Sequence, residues 1–321
     1  MSVYTSVEIK QLERFLLRYE LGKLRDFQPI AAGITNTNYY LDTDQGCFVL
    51  TLYEHHGDSE LDYMLGLQQH LANKSVRCAE PVKDRYDQFY SRLNQRPAAI
   101  IHRLPGEVET VPVPRNCASI GTELARFHLA GRDYTGRRKN PRGIEWILAV
   151  LETLGPRLES DDLRSITATL DSCREYDLER LPRGAIHADL FHDNALFANG
   201  ELGGILDFDY ACSDSLVFDI AVLLNDWCID SAGQLVETRV NSVIDAYQQQ
   251  RRLEAMELDA LPLMLRLGAL RFWLSRRYDK NFPLSGELTF LKCPEVFRQM
   301  HLLRSAQTKE VYKLLLPHHM R

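Results

Sequence analysis

"IHADLFHDN" at residues 186–194 is followed by "GGILDFDY" at 203–210, and the two stretches together hold four acids, two histidines and one asparagine among apolar neighbours. Carboxylates set beside apolar residues are costly to bury unless positive charge sits with them. The pattern therefore points to a cation that arrives with a phosphate-bearing substrate.

The first stretch fits H-x-D-x-x-x-x-N through His187, Asp189 and Asn194, and Asp207 opens an Asp-Phe pair eighteen residues after Asp189. Phosphoryl transfer from ATP needs little covalent chemistry from a protein; positioning and charge neutralisation dominate. One carboxylate must meet the acceptor hydroxyl and take its proton, and Asp189 is the candidate. Asn194 and Asp207 suit Mg²⁺, which prefers oxygen ligands and takes only one or two protein carboxylates. The strand-like "GGIL" is expected to carry Asp207 back beside them. His187 is expected to brace the loop through backbone hydrogen bonds rather than to bind metal. A rival reading takes His187, Asp189, His192 and Asp193 as a transition-metal hydrolase site, but it leaves Asn194 and Asp207 without a task. Asp214 and Asp219, flanking the start of a helix at 216–228, read as helix-capping acids.

The rest of the chain narrows the classes. Of its 321 residues 45% are hydrophobic and 26% charged, an ordinary globular composition. A net charge of −6 and no basic run argue against nucleic-acid binding. No apolar run reaches membrane-spanning length, and "MSVYTSVEIKQLERF" lacks the basic and apolar regions of an export signal. The seven scattered cysteines form no C-x-x-C pair and read as cytoplasmic free thiols.

A helix over about 6–21 would place Ile9, Leu12, Leu16 and Tyr19 on one face. Strand-like runs "FQPIAA", "TNYYLD", "CFVLTLY", "DQFYSRL" and "RPAAIIHRL" surround the helical "SELDYMLGLQQHLA". The Pro- and Gly-rich "LPGEVETVPVPR" (104–115) reads as a connection, and the remainder is mostly helical, with "ASIGTELARFHLAG" closing on a C-capping Gly131. The expectation is an α+β protein of two lobes. Residues 1–103 form a small antiparallel-β, nucleotide-binding lobe with one inserted helix; residues 104–321 form a larger, mainly α-helical catalytic and substrate lobe.

These residues resemble the aminoglycoside-phosphotransferase-like branch of the protein-kinase-like fold. Within it, "GITNTNYYLDTDQGCFVLTLYE" (33–54), "IHADLFHDNALF" with "ACSDSLVFDIAVLLNDWC" (186–197 and 211–228), and "ALRFWLSRRYD" with "FPLSGELT" (269–289) are similar to bacterial homoserine kinases. The resemblance runs from the first helix to about residue 290. It implies ATP- and Mg²⁺-dependent phosphorylation of the homoserine side-chain hydroxyl, a step in threonine biosynthesis. Carried over, Asp189 is the catalytic base and Asn194 and Asp207 are magnesium ligands. "GITNTN" is the phosphate-facing loop, in which Gly33 and Ile34 allow close backbone approach and Thr35, Asn36, Thr37 and Asn38 add polar groups. Adenine is expected against Ile101, His102 and Arg103.

Two departures from the general kinase pattern stand out. There is no G-x-G-x-x-G, and Thr51 stands where most kinases carry the lysine that pairs with ATP phosphates. The homoserine kinases share this threonine. Mg²⁺ and His192 are the candidates to supply the charge, and Glu60, without the lysine, reads as a surface or capping residue. A homoserine pocket needs a cation and an acidic acceptor, for which Arg271 and Asp226 are candidates; Asp209 could touch metal or substrate. The alternative for the arginines of "RFWLSRR" is ion pairing with acids such as Asp279. Choline, an aminoglycoside or a sugar remain open as acceptors, as does a nucleotide-binding pseudokinase, and the oligomeric state is open.

Overall fold

The computed structural model describes residues 5–30, 35–282 and 292–319, so Gly33 and Ile34 lie outside the described residues. The chain divides into two compact units, the first reaching Pro105 and the second beginning at Gly106.

The first unit runs α1 (Ile9–Leu16), β1 (Leu24–Pro29), β2 (Thr37–Thr43), β3 (Gly46–Leu52), α2 (Asp58–Ala72), β4 (Pro81–Val82), β5 (Tyr90–Leu93) and β6 (Arg96–His102). Its antiparallel sheet has the order β1-β2-β3-β6-β4, with β5 also on β6. Along β2 buried and half-buried residues alternate, as expected of a strand with one face on a core. In β6 the five residues between Arg96 and His102 are all buried, which marks a central strand. Leu12, Phe15 and Leu16 of α1 join Leu41, Leu50, Leu52 and Ile100 in one apolar cluster. The helix is shorter than its periodicity predicts: it ends at Leu16, and Ile9 is 54% exposed. Glu60 caps α2 by accepting the Gly57 amide at 3.1 Å.

The second unit runs β7 (Glu107–Val108), α3 (Pro114–Ala130), α4 (Ile144–Leu154), α5 (Ser160–Glu175), β8 (Arg183–Ile186), β9 (Ala195–Ala198), β10 (Glu201–Ile205) and β11 (Cys212–Ser215). It continues through α6 (Leu216–Trp227), α7 (Glu237–Gln250), α8 (Ala255–Asn281), α9 (Pro294–Ala306) and α10 (Thr308–His319). Inside the segment expected to be a bare connection, β7 pairs with β9. Gly106 permits this, because at φ +106° a Cβ there would meet the Phe197 carbonyl oxygen at 2.4 Å. Gly131 ends α3 without the left-handed geometry of a glycine C-cap, at φ −75°. Gly121, midway along α3, lets that helix approach α7: an added Cβ would stand 2.6 Å from the Val243 carbonyl oxygen.

Two short antiparallel pairs frame the acid-rich stretch. β8 pairs with β11, Ile186 opposite Cys212. β9 and β10 form a hairpin whose Asn199–Gly200 turn has positive φ at both residues, the geometry that matches strand twist. Helix α6 is buried at every residue except Asp226. Among the described residues no helix is long and apolar enough to cross a membrane, and the seven cysteines are free.

Candidate active site

The β9–β10 hairpin brings Asn194 and Asp207 together. Ala195 stands opposite Ile205, and the ladder extends one step further as the Leu206 amide donates to the Asn194 carbonyl at 2.9 Å. The Asn194 side chain donates its Nδ2 hydrogen to the backbone carbonyl of Asp189 at 2.8 Å. Its Oδ1 is thereby oriented away from that bond. The hairpin and this bond set the three residues beside one another.

Burial drives the Asp189 carboxyl up to about 7; the negative charges of Asp207 and Asp193 add to that, and Arg271 and Lys292 oppose it. Asp207 is likewise raised to about 7, by partial loss of hydration first and then by Asp209, although its side chain still reaches solvent. Backbone strain accompanies this crowding: Ala188 and Asp207 hold φ of 63° and 58°, a region that residues with a Cβ seldom occupy. Two acids with carboxyls raised toward neutrality and an amide oxygen form a donor set that suits a hard dication with phosphate oxygens and water completing its shell. Among the described residues no three His, Cys, Asp or Glu side chains are grouped as a metal cage.

The rival hydrolase set is dispersed into other bonds. His187 is fully buried, its Nε2 bonded to the Leu206 carbonyl at 2.8 Å, and burial holds its basicity down. His192 bonds through Nδ1 and its backbone amide to Asp226 Oδ2, at 2.7 and 2.6 Å, and that partner raises the imidazole's pKa. Asp193 pairs with Lys292 at 2.9 Å. Asp226, expected to receive a substrate ammonium, is thus engaged in holding the catalytic loop. Its place at the end of α6 puts it directly under His192.

Sequence reasoning missed three supports of this loop. Asp219, read as a helix cap, is completely buried and accepts the amides of His187 and Ala188, both at 2.7 Å, while His128 Nε2 lies 3.1 Å from it. Trp227 donates its indole N–H to the Leu190 carbonyl at 3.0 Å. Asn225 donates to the Leu265 carbonyl at 2.7 Å and receives Arg304 at 2.9 Å, fixing α6 against α8 and α9. The "NDWC" stretch therefore holds the loop through Asp226 and Trp227 and its own helix through Asn225. Its signal in the sequence is the polar Asn-Asp pair closing an otherwise apolar helix.

Arg271 lies on α8 with its side chain 3% exposed and Nη1 3.5 Å from Asp189 Oδ1. Among the described residues its Nη2 is buried with no hydrogen-bond partner. The guanidinium lies over Tyr210, 4.6 Å from the ring centroid, and Arg142 approaches the same ring at 5.9 Å. A cavity of about 380 Å³ in this unit is lined by Arg142, Asp214, Phe218, Met264, Leu267 and Arg271 among others. Asp279 pairs with Arg142 at 3.9 Å and Glu295 with Arg277 at 3.9 Å, so the ion pairs foreseen for the other arginines exist with different partners. The Asp209 amide donates to Asp207 Oδ1 at 3.2 Å, and its carbonyl receives Arg138 at 2.6 Å.

In the first unit the expectations fare unevenly. Thr37 is buried and donates to Glu54 at 2.8 Å, and Asn36 Oδ1 accepts the Glu54 amide at 3.4 Å, so the Thr37 hydroxyl and the Asn36 carbonyl stabilise the turn from within. Thr51 donates to Asn38 Oδ1 at 2.8 Å across β2 and β3. The amides of His102 and Arg103 are taken by the carbonyls of Glu80 and Cys47, at 2.8 and 3.2 Å, which removes them as donors to a base. The Arg103 guanidinium lies 4.2 Å over the Tyr40 ring. Thr35 is described, at the start of the turn leading into β2.

Known proteins resemble this chain along most of its length. The sequence profile of the phosphotransferase enzyme family matches residues 26–255. A homoserine kinase of Methylobacillus flagellatus is 45% identical over 300 residues, 94% of each chain. One of Neisseria meningitidis serogroup B is 38% identical over 302 residues, 94% of this chain and 99% of its own. The fold is that of the protein-kinase-like phosphotransferases. An amicoumacin kinase in complex with AMP-PNP, Ca²⁺ and its antibiotic superposes with TM-score 0.72 at 16% identity, covering 96% of this chain and 94% of that one. A microcompartment-associated aminopropanol kinase superposes with TM-score 0.66 at 15% identity, covering 98% and 99%.

Proposed function

We propose that this protein, which belongs to the phosphotransferase enzyme family, transfers the terminal phosphoryl group of ATP to the side-chain hydroxyl of L-homoserine, giving O-phospho-L-homoserine for threonine biosynthesis. The observation that carries the reaction type is the hydrogen-bonded hairpin that gathers Asp189, Asn194 and Asp207. Relatives named homoserine kinase, similar along nearly the whole chain, support the acceptor.

In this reading Asp189 accepts the proton of the acceptor hydroxyl as its oxygen attacks the phosphorus. Asn194 Oδ1 and Asp207 hold Mg²⁺, which when bound supplies charge neutralisation at the phosphates. Arg271 keeps Asp189 oriented through Nη1 and offers its unpartnered Nη2 to the acceptor carboxylate. Because that guanidinium touches the base itself, a carboxylate bound there keeps its own hydroxyl close to Asp189, which favours short hydroxy amino acids. Choline and aminoglycosides bring positive charge, which Arg271 and Arg142 repel.

ADP release measured over homoserine, serine, threonine, choline, ethanolamine and an aminoglycoside tests the acceptor. Homoserine should give the highest kcat/KM. A cationic acceptor that outperforms it defeats the substrate assignment, and no acceptor-dependent turnover favours a nucleotide-binding pseudokinase.

A further inference from the structure

Thr51 leaves open which cation meets the phosphates of ATP. His192 cannot supply a free charge, because Asp226 sits on its Nδ1 at 2.7 Å and offsets whatever charge it carries. Arg271 is committed at Nη1 to Asp189.

Lys292, just before α9, is placed differently. Its Nζ lies 2.9 Å from Asp193 Oδ2, on the residue preceding the proposed metal ligand Asn194. It also stands 5.7 Å from the centroid of the Phe191 ring, within the same loop. The ammonium is thus held against the stretch between Asp189 and Asn194, by the side chains of Phe191 and Asp193.

We propose that Lys292 is the cation that contacts the terminal phosphate oxygens of ATP, replacing the lysine absent from β3. The reading rests on the kinase assignment above, and not on the identity of the acceptor. The Asp193 pair is half exposed, 44% and 42% for its two side chains. Exposed pairs of this kind contribute little to stability, so the ammonium is easily redirected. A phosphate carrying more charge than one carboxylate, next to a metal on Asn194 and Asp207, offers it the stronger partner. A flexible four-carbon stem with a compact charge suits that exchange. The opposing possibility is a purely structural ion pair, in which Lys292 does no more than neutralise Asp193.

Titration calorimetry with ATP and with ADP, in Mg²⁺ and without any acceptor, distinguishes the two. Lys292→Ala should weaken ATP binding by about tenfold or more, as expected for a lost charge-assisted hydrogen bond, while ADP affinity changes little. Lys292→Arg should restore most of the ATP preference. Asp193→Asn, which breaks the ion pair and keeps the lysine, should preserve the ATP-to-ADP ratio. Unchanged ATP affinity in Lys292→Ala overturns the proposal, and so does an equal loss of the ratio in Asp193→Asn, which marks the pair as structural. Since no acceptor is present, a wrong substrate assignment leaves this result untouched. Thermal melts that match the wild type establish that each variant is folded.

Discussion

Two sets of carboxylates lie within one unit, on either side of a single loop, and they are treated oppositely. Beneath the loop Asp219 accepts two backbone amides and faces His128, whose Nδ1 is 2.7 Å from the Tyr247 hydroxyl. Arg251 donates to that hydroxyl at 3.2 Å and to both oxygens of Glu257. With the proton on Nε2 of His128, every acceptor along this chain has a donor, a network of the sort that rigidifies a fold. On the loop itself Asp189 is half-buried and Asp207 reaches solvent, yet they repel one another and have carboxyls pushed to about 7. The loop's backbone is anchored from below so that its face can keep charge unsatisfied until ligands arrive. Stability and reactivity are thus separated by the thickness of one peptide segment, in keeping with the usual tension between the two.

That contrast can be broken from either side. The largest effect is expected for Asp189→Asn, which removes the base and keeps the shape: kcat should fall on the order of 10²–10⁴-fold, with ATP binding retained in calorimetry. Retained turnover would remove Asp189 from the chemistry. Next is Asp219→Ala, which leaves the two loop amides and His128 without an acceptor. A loss of about 3–5 kcal/mol is expected in denaturant melts, and a neutral outcome would mean that the loop is held by Trp227 and Asp226 alone. Arg271→Lys should raise the homoserine KM by roughly tenfold, because an ammonium lacks the two-pronged geometry of guanidinium; an effect confined to the KM for ATP would move Arg271 out of the acceptor site.

The smallest effect is in the pH dependence of stability. Asp189 is raised from 3.8 to about 7 in the folded protein. Between those values the folded state holds a proton that the unfolded chain releases, so ligand-free stability falls as pH rises through this window. Asp189→Asn lacks that term. Its melting temperature should match the wild type near pH 4 and exceed it above pH 7, by on the order of 2–4 °C. A constant difference across the range would show that Asp189 is ionised throughout.

Much of this was legible in the chain. Alternation in "TNYYLD" and the helical spacing of "SELDYMLGLQQHLA" each report a local period, and local period follows from backbone geometry. The H-x-D-x-x-x-x-N spacing and the Asp207 that follows are likewise local, since one loop and one hairpin join them. Three features escaped because they depend on partners distant in sequence. Asp219 reads as a cap until its loop amides, thirty-one and thirty-two residues away, are seen to point at it. Asp226 reads as a substrate acceptor until His192 is found on it. The hydroxyl of Thr37 looks available until its strand turns it inward to Glu54.

By itself the sequence determined the α+β class, the order of elements and the residue types that reach the reaction, because spacing along one chain fixes which side chains share a face or a turn. Only the tertiary structure decided which acids are satisfied and which remain charged and waiting, because a carboxylate's state is set by the donors and counter-charges that folding brings within a few ångströms.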